Sequence, residues 1–160
     1  MRNKYYKLIL SFIILPVLFL SCHRDKTDID ENKPEILASG NEASPKNCNV
    51  FIKGTFIPVR LVFSDDVELG SFNIEVHNNF DHHTHSTEHE ECTLDAKKQP
   101  VHPWIYNKDF TIPSKLKSYK VNIDIPIPAD IDEGDYHFMI RLTDKSGWQQ
   151  LRSWSIKISR

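Results

Sequence analysis

Several features are scarce in this chain, and each scarcity removes a class of function. Lys and Arg number 20 against 22 Asp and Glu. No basic stripe remains to hold phosphate, which argues against a nucleic-acid partner. No run reaches the roughly 20 apolar residues that a membrane-spanning helix needs. Beyond residue 34 apolar residues do not recur at helical spacing, which argues against a helical bundle or an alternating α/β fold. No nucleophile elbow, phosphate loop or catalytic dyad pattern is present, so the chain reads as a non-enzyme. Cysteine is limited to three positions, Cys22, Cys48 and Cys92.

The N-terminus reads as a targeting signal over residues 1–21. Arg2, Lys4 and Lys7 precede an apolar run from Leu8 to Leu20, broken by Ser11 and Pro16. That length suits a signal segment better than a membrane span. The run ends in Leu18-Phe19-Leu20-Ser21-Cys22, which resembles the lipobox of bacterial lipoproteins, with Phe19 standing where that pattern has Leu. The resemblance implies that Cys22 carries the lipid and becomes the mature N-terminus, anchoring the protein to the outer membrane with a periplasmic or surface-facing body. An ordinary secretory signal with Cys22 as a bystander is the plainer alternative. Losing the three basic residues takes the formal charge from −2 to −5. Residues 22–33 are polar and charged and read as a flexible tether. Their acids resemble a surface-export signal of some Gram-negative groups, or form a plain spacer. With Cys22 lipidated, Cys48 and Cys92 remain as a pair in a disulfide-permissive compartment. Closing that loop stabilises the fold by about 4 kcal/mol in the chain-entropy picture. The rival role for Cys92 is that of a thiolate ligand.

From residue 34 onward, short β-rich runs alternate with turn residues. Strands are expected near 34–36, at 56–64 (FIPVRLVFS), 71–77 (SFNIEVH), around 109–112, and at 119–127, 135–143 and 149–158. About seven strands over this length indicate an all-β, immunoglobulin-like antiparallel sandwich spanning residues 34–160. The segment Asp132-Glu133-Gly134-Asp135-Tyr136 resembles the tyrosine corner that leads into strand F of that plan, which makes Tyr136 structural. Trp148 and Trp154 read as core or rim packing.

One local concentration stands out against this background. Of eight histidines, five lie within thirteen residues: His77, His82, His83, His85 and His89, in VHNNFDHHTHSTEH. Neutral imidazole is the commonest protein ligand for Zn, Cu and Ni. Side chains alternate along a strand, so Phe72, Ile74 and Val76 facing the core send His77 outward. The same rule on 135–143 sends His137, Met139 and Arg141 outward. If these two strands are neighbours, as C and F are in the immunoglobulin plan, His77 and His137 share one outer face. The loop carrying His82, His83 and His85 can fold back over it. These five form the candidate metal site, with Zn or Cu as the fitting ions and Ni possible by chemistry. His89 and His102 are weaker candidates. Asp81 is either a ligand or an acceptor for an imidazole N–H. A polar loop merely decorated with histidines is the plainer alternative.

HNNFDHHTHSTEHEEC, VELGSFNIEVH, IPADIDEGDYHFMIRLTDKSGWQ and ASPKNC together are similar to a bacterial lipoprotein family, domain of unknown function 4625. The resemblance spans residues 33–158 and implies an immunoglobulin-like lipoprotein domain without an established activity. His83-Thr84-His85 with Glu88 and His89 is only faintly similar to the H-x-H-x-D-H motif of metallo-β-lactamase-like hydrolases: the spacing is one residue too long and Glu replaces Asp. Two functions follow as expectations. The first is a lipid-anchored envelope protein that binds a transition metal as carrier, sensor or accessory to an outer-membrane receptor. The second is an adhesion or glycan-binding module without metal, using Trp104 and Tyr106 as exposed aromatics.

Overall fold

The computed structural model describes residues 29–160. The signal segment 1–21, Cys22 and the first part of the tether lie outside the described residues. Eight strands follow in order: β1 (Glu35–Leu37), β2 (Asn49–Ile52), β3 (Phe56–Ser64), β4 (Leu69–Asn78), β5 (Tyr106–Thr111), β6 (Ser118–Pro126), β7 (Gly134–Asp144) and β8 (Gln149–Ser159). They form a β-sandwich of two sheets, ordered β1-β3-β6 and β2-β8-β7-β4-β5. That arrangement is the immunoglobulin-like plan.

The alternation visible in the sequence explains the core. From β4, Phe72, Ile74 and Val76 are buried; from β7, Tyr136, Phe138, Ile140 and Leu142; from β3, Ile57, Val59, Leu61 and Phe63. Residues of like parity face each other between the sheets, as in aligned sandwiches. Phe63 and Phe72 meet edge to face, with centroids 5.0 Å apart. Tyr136 is fully buried, and its hydroxyl donates to the Asp132 carbonyl at 2.6 Å. Burial pushes its phenol up to about 12, so it stays a neutral donor.

The structure corrects the sequence reading in four places. There are eight strands, and β2 pairs parallel to β8, an exception to the antiparallel pattern. Four residues with Val50 and Ile52 exposed carry too little periodicity to be read alone, and their partner lies at the far end of the chain. The strand expected around 109–112 is β5, which begins at Tyr106 and pairs with β4. The strand expected at 71–77 begins earlier, at Leu69 and Gly70, with an irregularity in its register with β7. A side chain on Gly70 would place its Cβ 2.7 Å from the Asp144 carbonyl oxygen, so glycine is required there. Finally, Trp104 is not an exposed aromatic. It is 7% exposed, and its ring centroid lies 6.3 Å from that of Tyr136. Tyr106 is partly buried against the same core.

Tyr136→Phe keeps the ring and removes the corner bond. Its unfolding free energy in urea should fall by about 1–2 kcal/mol, as for loss of one buried hydrogen bond, with the strand content unchanged by circular dichroism.

Candidate metal centre

The register of β4 against β7 places His77 directly opposite His137, both on the sheet face turned away from the core. Residues 79–103 then cross that face instead of leaving it. The loop is pinned along its length. The Asn79 amide donates to the Asp135 carbonyl at 2.8 Å, and the Thr87 amide donates to the Ser153 carbonyl at 3.1 Å. Thr87 Oγ1 accepts from the Ser153 amide at 3.0 Å. Glu88 pairs with Arg152 at 2.9 Å. Cys92 forms a disulfide with Cys48, whose own amide donates to the Ser155 carbonyl of β8. Cys92 is therefore a tether for the loop and not a thiolate ligand. Covered in this way, His137 is 1% exposed although it faces outward from the sandwich.

His83 and His85 alternate with Thr84, so both rings point down onto β4 and β7. The nitrogens of His77, His83 and His85 come within 4.8 Å of one another. The four rings of His77, His83, His85 and His137 have centroid separations of 5.3, 5.5, 5.5, 4.9, 5.1 and 5.4 Å across their six pairs. Four points so spaced are the corners of a nearly regular tetrahedron. Imidazoles bound through nitrogen at about 2.0–2.1 Å around one tetrahedral ion would have centroids about 5.2 Å apart.

The hydrogen-bond partners assign the tautomers. His83 Nδ1 faces the Asp81 carboxylate, and Glu75 Oε1 lies 2.9 Å from His77 Nδ1. The second contact is off the line of a directed hydrogen bond, so its effect is through charge. Each carboxylate favours the proton on Nδ1 and leaves the lone pair on Nε2. Those two Nε2 atoms are 3.2 Å apart. Two lone pairs at that separation repel unless a proton or a cation lies between them. Carboxylates behind ligating imidazoles are the usual outer arrangement of such sites. His137 has spent Nε2 on the His83 carbonyl at 3.1 Å, and its Nδ1 is buried without a partner. It occupies the fourth corner but is outside the set of three converging nitrogens.

Burial holds the His137 imidazole down to about 4, with the neighbouring His77, His83 and His85 acting in the same direction. Burial also lowers His77, against the opposing charge of Glu75. The bond from His83 holds the Asp81 carboxyl below its usual range. Near neutral pH, His77 and His137 are thus uncharged, the state in which imidazole ligates.

Three candidates fall away from the cluster. His82 has a left-handed backbone, φ 62°, and its Nε2 lies 2.9 Å from the Asp95 carbonyl oxygen. Its neighbours His83 and His85 share one side of the segment, so His82 is on the other. His89 and His102 are exposed, and the His102 amide is held by Asp132. Strand alternation sends Glu75 outward with His77, but the sequence reading gives it no part in the site. Its signal was present, since residues two apart on a strand share a face.

A family profile described as a domain of unknown function (DUF4625) matches residues 20–159. The chain belongs to that family. No curated protein matches it. Within this DUF4625 domain, His77, His83 and His85 form a group of side chains whose nitrogens could share one ion.

The low His137 value has a consequence for acid stability. The unfolded imidazole takes its proton near pH 6.5, the folded one near 4. Between those values the unfolded state binds more protons, so stability falls as pH falls, by up to about 3 kcal/mol. Urea midpoints in the presence of a chelator should drop between pH 7 and 5. The drop should be shallower in His137→Phe; equal slopes would contradict the assignment.

Proposed function

We propose that this DUF4625 domain binds a transition metal, Zn or Cu, through His77, His83 and His85, with His137 at the fourth corner. The observation that carries the reading is the pair of Nε2 atoms 3.2 Å apart, each backed by a carboxylate at Nδ1. About 3.3–3.4 Å is the nitrogen–nitrogen edge of a tetrahedral site with Zn–N of about 2.0–2.1 Å. His77 comes from a rigid strand, which lowers the entropy of organising the site. His83 and His85 come from a loop already held by the disulfide and by Thr87. His137 contributes by fixing the loop backbone at His83.

We place the protein in the cell envelope, lipidated at Cys22 and held at the outer membrane, where it serves as carrier, sensor or accessory to an outer-membrane receptor. The lipobox-like sequence ahead of Cys22 supports this. Labelling with a clickable fatty acid should be lost in Cys22→Ser. The glycan-binding alternative drew on exposed aromatics at Trp104 and Tyr106, and the burial of Trp104 removes that motive.

Calorimetry on protein purified without a polyhistidine tag should give Zn or Cu(II) binding tighter than about 10 μM, or about −7 kcal/mol. Affinity should fall as pH drops below about 6.5, because protons compete for the imidazoles. His77→Ala or His83→Ala should weaken it by more than about tenfold, while His82→Ala should leave it intact. Unchanged binding in the first two would refute the assignment, as would the lack of any metal in elemental analysis combined with no uptake on titration.

A further inference from the structure

The opposite end of the sandwich holds a second group of converging side chains with a different chemistry. Asp30 precedes β1, Asp65 follows β3, and Asp144 ends β7. One oxygen of each lies within 4.8 Å of the other two. Asp65 is 8% exposed and Asp144 4%. Each carboxylate is half used. Asp65 Oδ1 accepts from the amides of Val67 at 2.8 Å and Glu68 at 2.6 Å. Asp144 Oδ1 accepts from the amides of Gly147 at 2.7 Å and Trp148 at 2.9 Å. Asp30 Oδ1 accepts from the Asn32 amide at 3.1 Å. The Oδ2 atoms of all three are buried and have no hydrogen-bond partner.

Three carboxylates brought together out of water repel one another and forfeit hydration, a cost that is met by a cation or by protonation. Among the described residues, no Lys or Arg forms an ion pair with any of the three. The nearby lysine Lys117 spends its ammonium on the Asp66 carbonyl instead. Burial, with the Asp30 and Asp65 charges adding to it, holds the Asp144 carboxyl above its usual range. The backbone amides fix Oδ1 of each acid and so orient Oδ2, which makes the arrangement a built one.

We propose that Asp30, Asp65 and Asp144 form a calcium site that clamps the segment preceding β1 onto the end of the sandwich. Hard, all-oxygen ligation with several carboxylates suits Ca²⁺, which accepts irregular geometry, better than Mg²⁺, which demands a near-ideal octahedron. The same donors discriminate against the softer ions suited to imidazole. Asp30 is the partner contributed by the segment ahead of β1: its carbonyl accepts from Trp148 Nε1 at 2.9 Å, and Asn32 reaches Asp66 at 2.9 Å. Filling the site would lock these contacts and set the angle at which the body leaves its tether. Asp144 lies seven residue steps along β7 from His137, about 23 Å of strand, so the two sites would fill independently.

Terbium is a suitable probe, because the Trp148 indole beside Asp30 can sensitise its emission. With the purified full chain, terbium should give indole-sensitised luminescence that Ca²⁺ displaces. Half-effect should lie between about 10⁻⁵ and 10⁻³ M, from the weak limit of sensor sites to the weak limit of extracellular calcium modules. Ca²⁺ should also raise the melting temperature. Asp144→Asn keeps an acceptor for the two amides while removing the charge, and Asp30→Asn lies outside every strand. Each should weaken Ca²⁺ by about tenfold or more, whereas His83→Ala should leave it unchanged. The proposal is overturned if wild-type protein shows neither sensitised emission nor a Ca²⁺-dependent melting shift. It is equally overturned if both Asn variants respond like wild type, or if Mg²⁺ displaces terbium better than Ca²⁺.

Discussion

The pairing of β4 with β7 is the constraint on which both ends of the molecule depend. Phe72, Ile74 and Val76 face the same core as Phe138, Ile140 and Leu142, and the observed register seats them against one another. That register sets His77 opposite His137 at one end and Leu69 opposite Asp144 at the other. A slip by one residue would turn the apolar set of one strand to the outside and would dismantle both clusters. The core thus positions polar groups that contribute nothing to it.

The loop over residues 79–103 covers His137 and brings His83 and His85 against the pair of outward histidines. Its length would ordinarily imply mobility. Here the disulfide, the Thr87–Ser153 bonds and the Glu88–Arg152 pair tie it to β8 and to the start of β2. The result is a layer over the five-stranded sheet, with His137 beneath it. These anchors offset ordering entropy of the segment, so the proposed metal would find the rings already gathered. This division suits reversible binding, since metal release need not unfold the loop.

The two acidic–basic patterns of the molecule differ in how they treat charge. At the histidine end, carboxylates stand behind the rings at Nδ1 and favour lone pairs at Nε2. At the other end, backbone amides stand behind carboxylates and leave bare oxygens facing one another. In each case an outer layer of bonds orients the inner atoms. Nitrogen donors at one pole and oxygen donors at the other would sort soft from hard cations without competition between them.

Much of this was legible without coordinates. Alternation along 71–77 and 135–143 assigned the core faces and sent His77 and His137 outward together, because period 2 is a local property of the strand. The segment around Tyr136 announced its corner, since that bond spans only four residues. The Cys48–Cys92 pairing followed from counting thiols. Other features were beyond a linear reading. β2 is too short to show a period, and its partner β8 lies about a hundred residues away. His82 and His83 are adjacent and alike in sequence, yet a left-handed residue separates their directions. Trp104 looked exposed because it lies in a short Pro-containing stretch, His102 to Tyr106, with no strand period, and burial is a property of what packs on it. Asp30, Asp65 and Asp144 are ordinary turn acids one at a time. The sequence by itself determined which residues face which side of each strand, because that depends on neighbours along the chain. Only the tertiary structure decided which of those faces meet, because convergence depends on register and on where a distant loop is tied down.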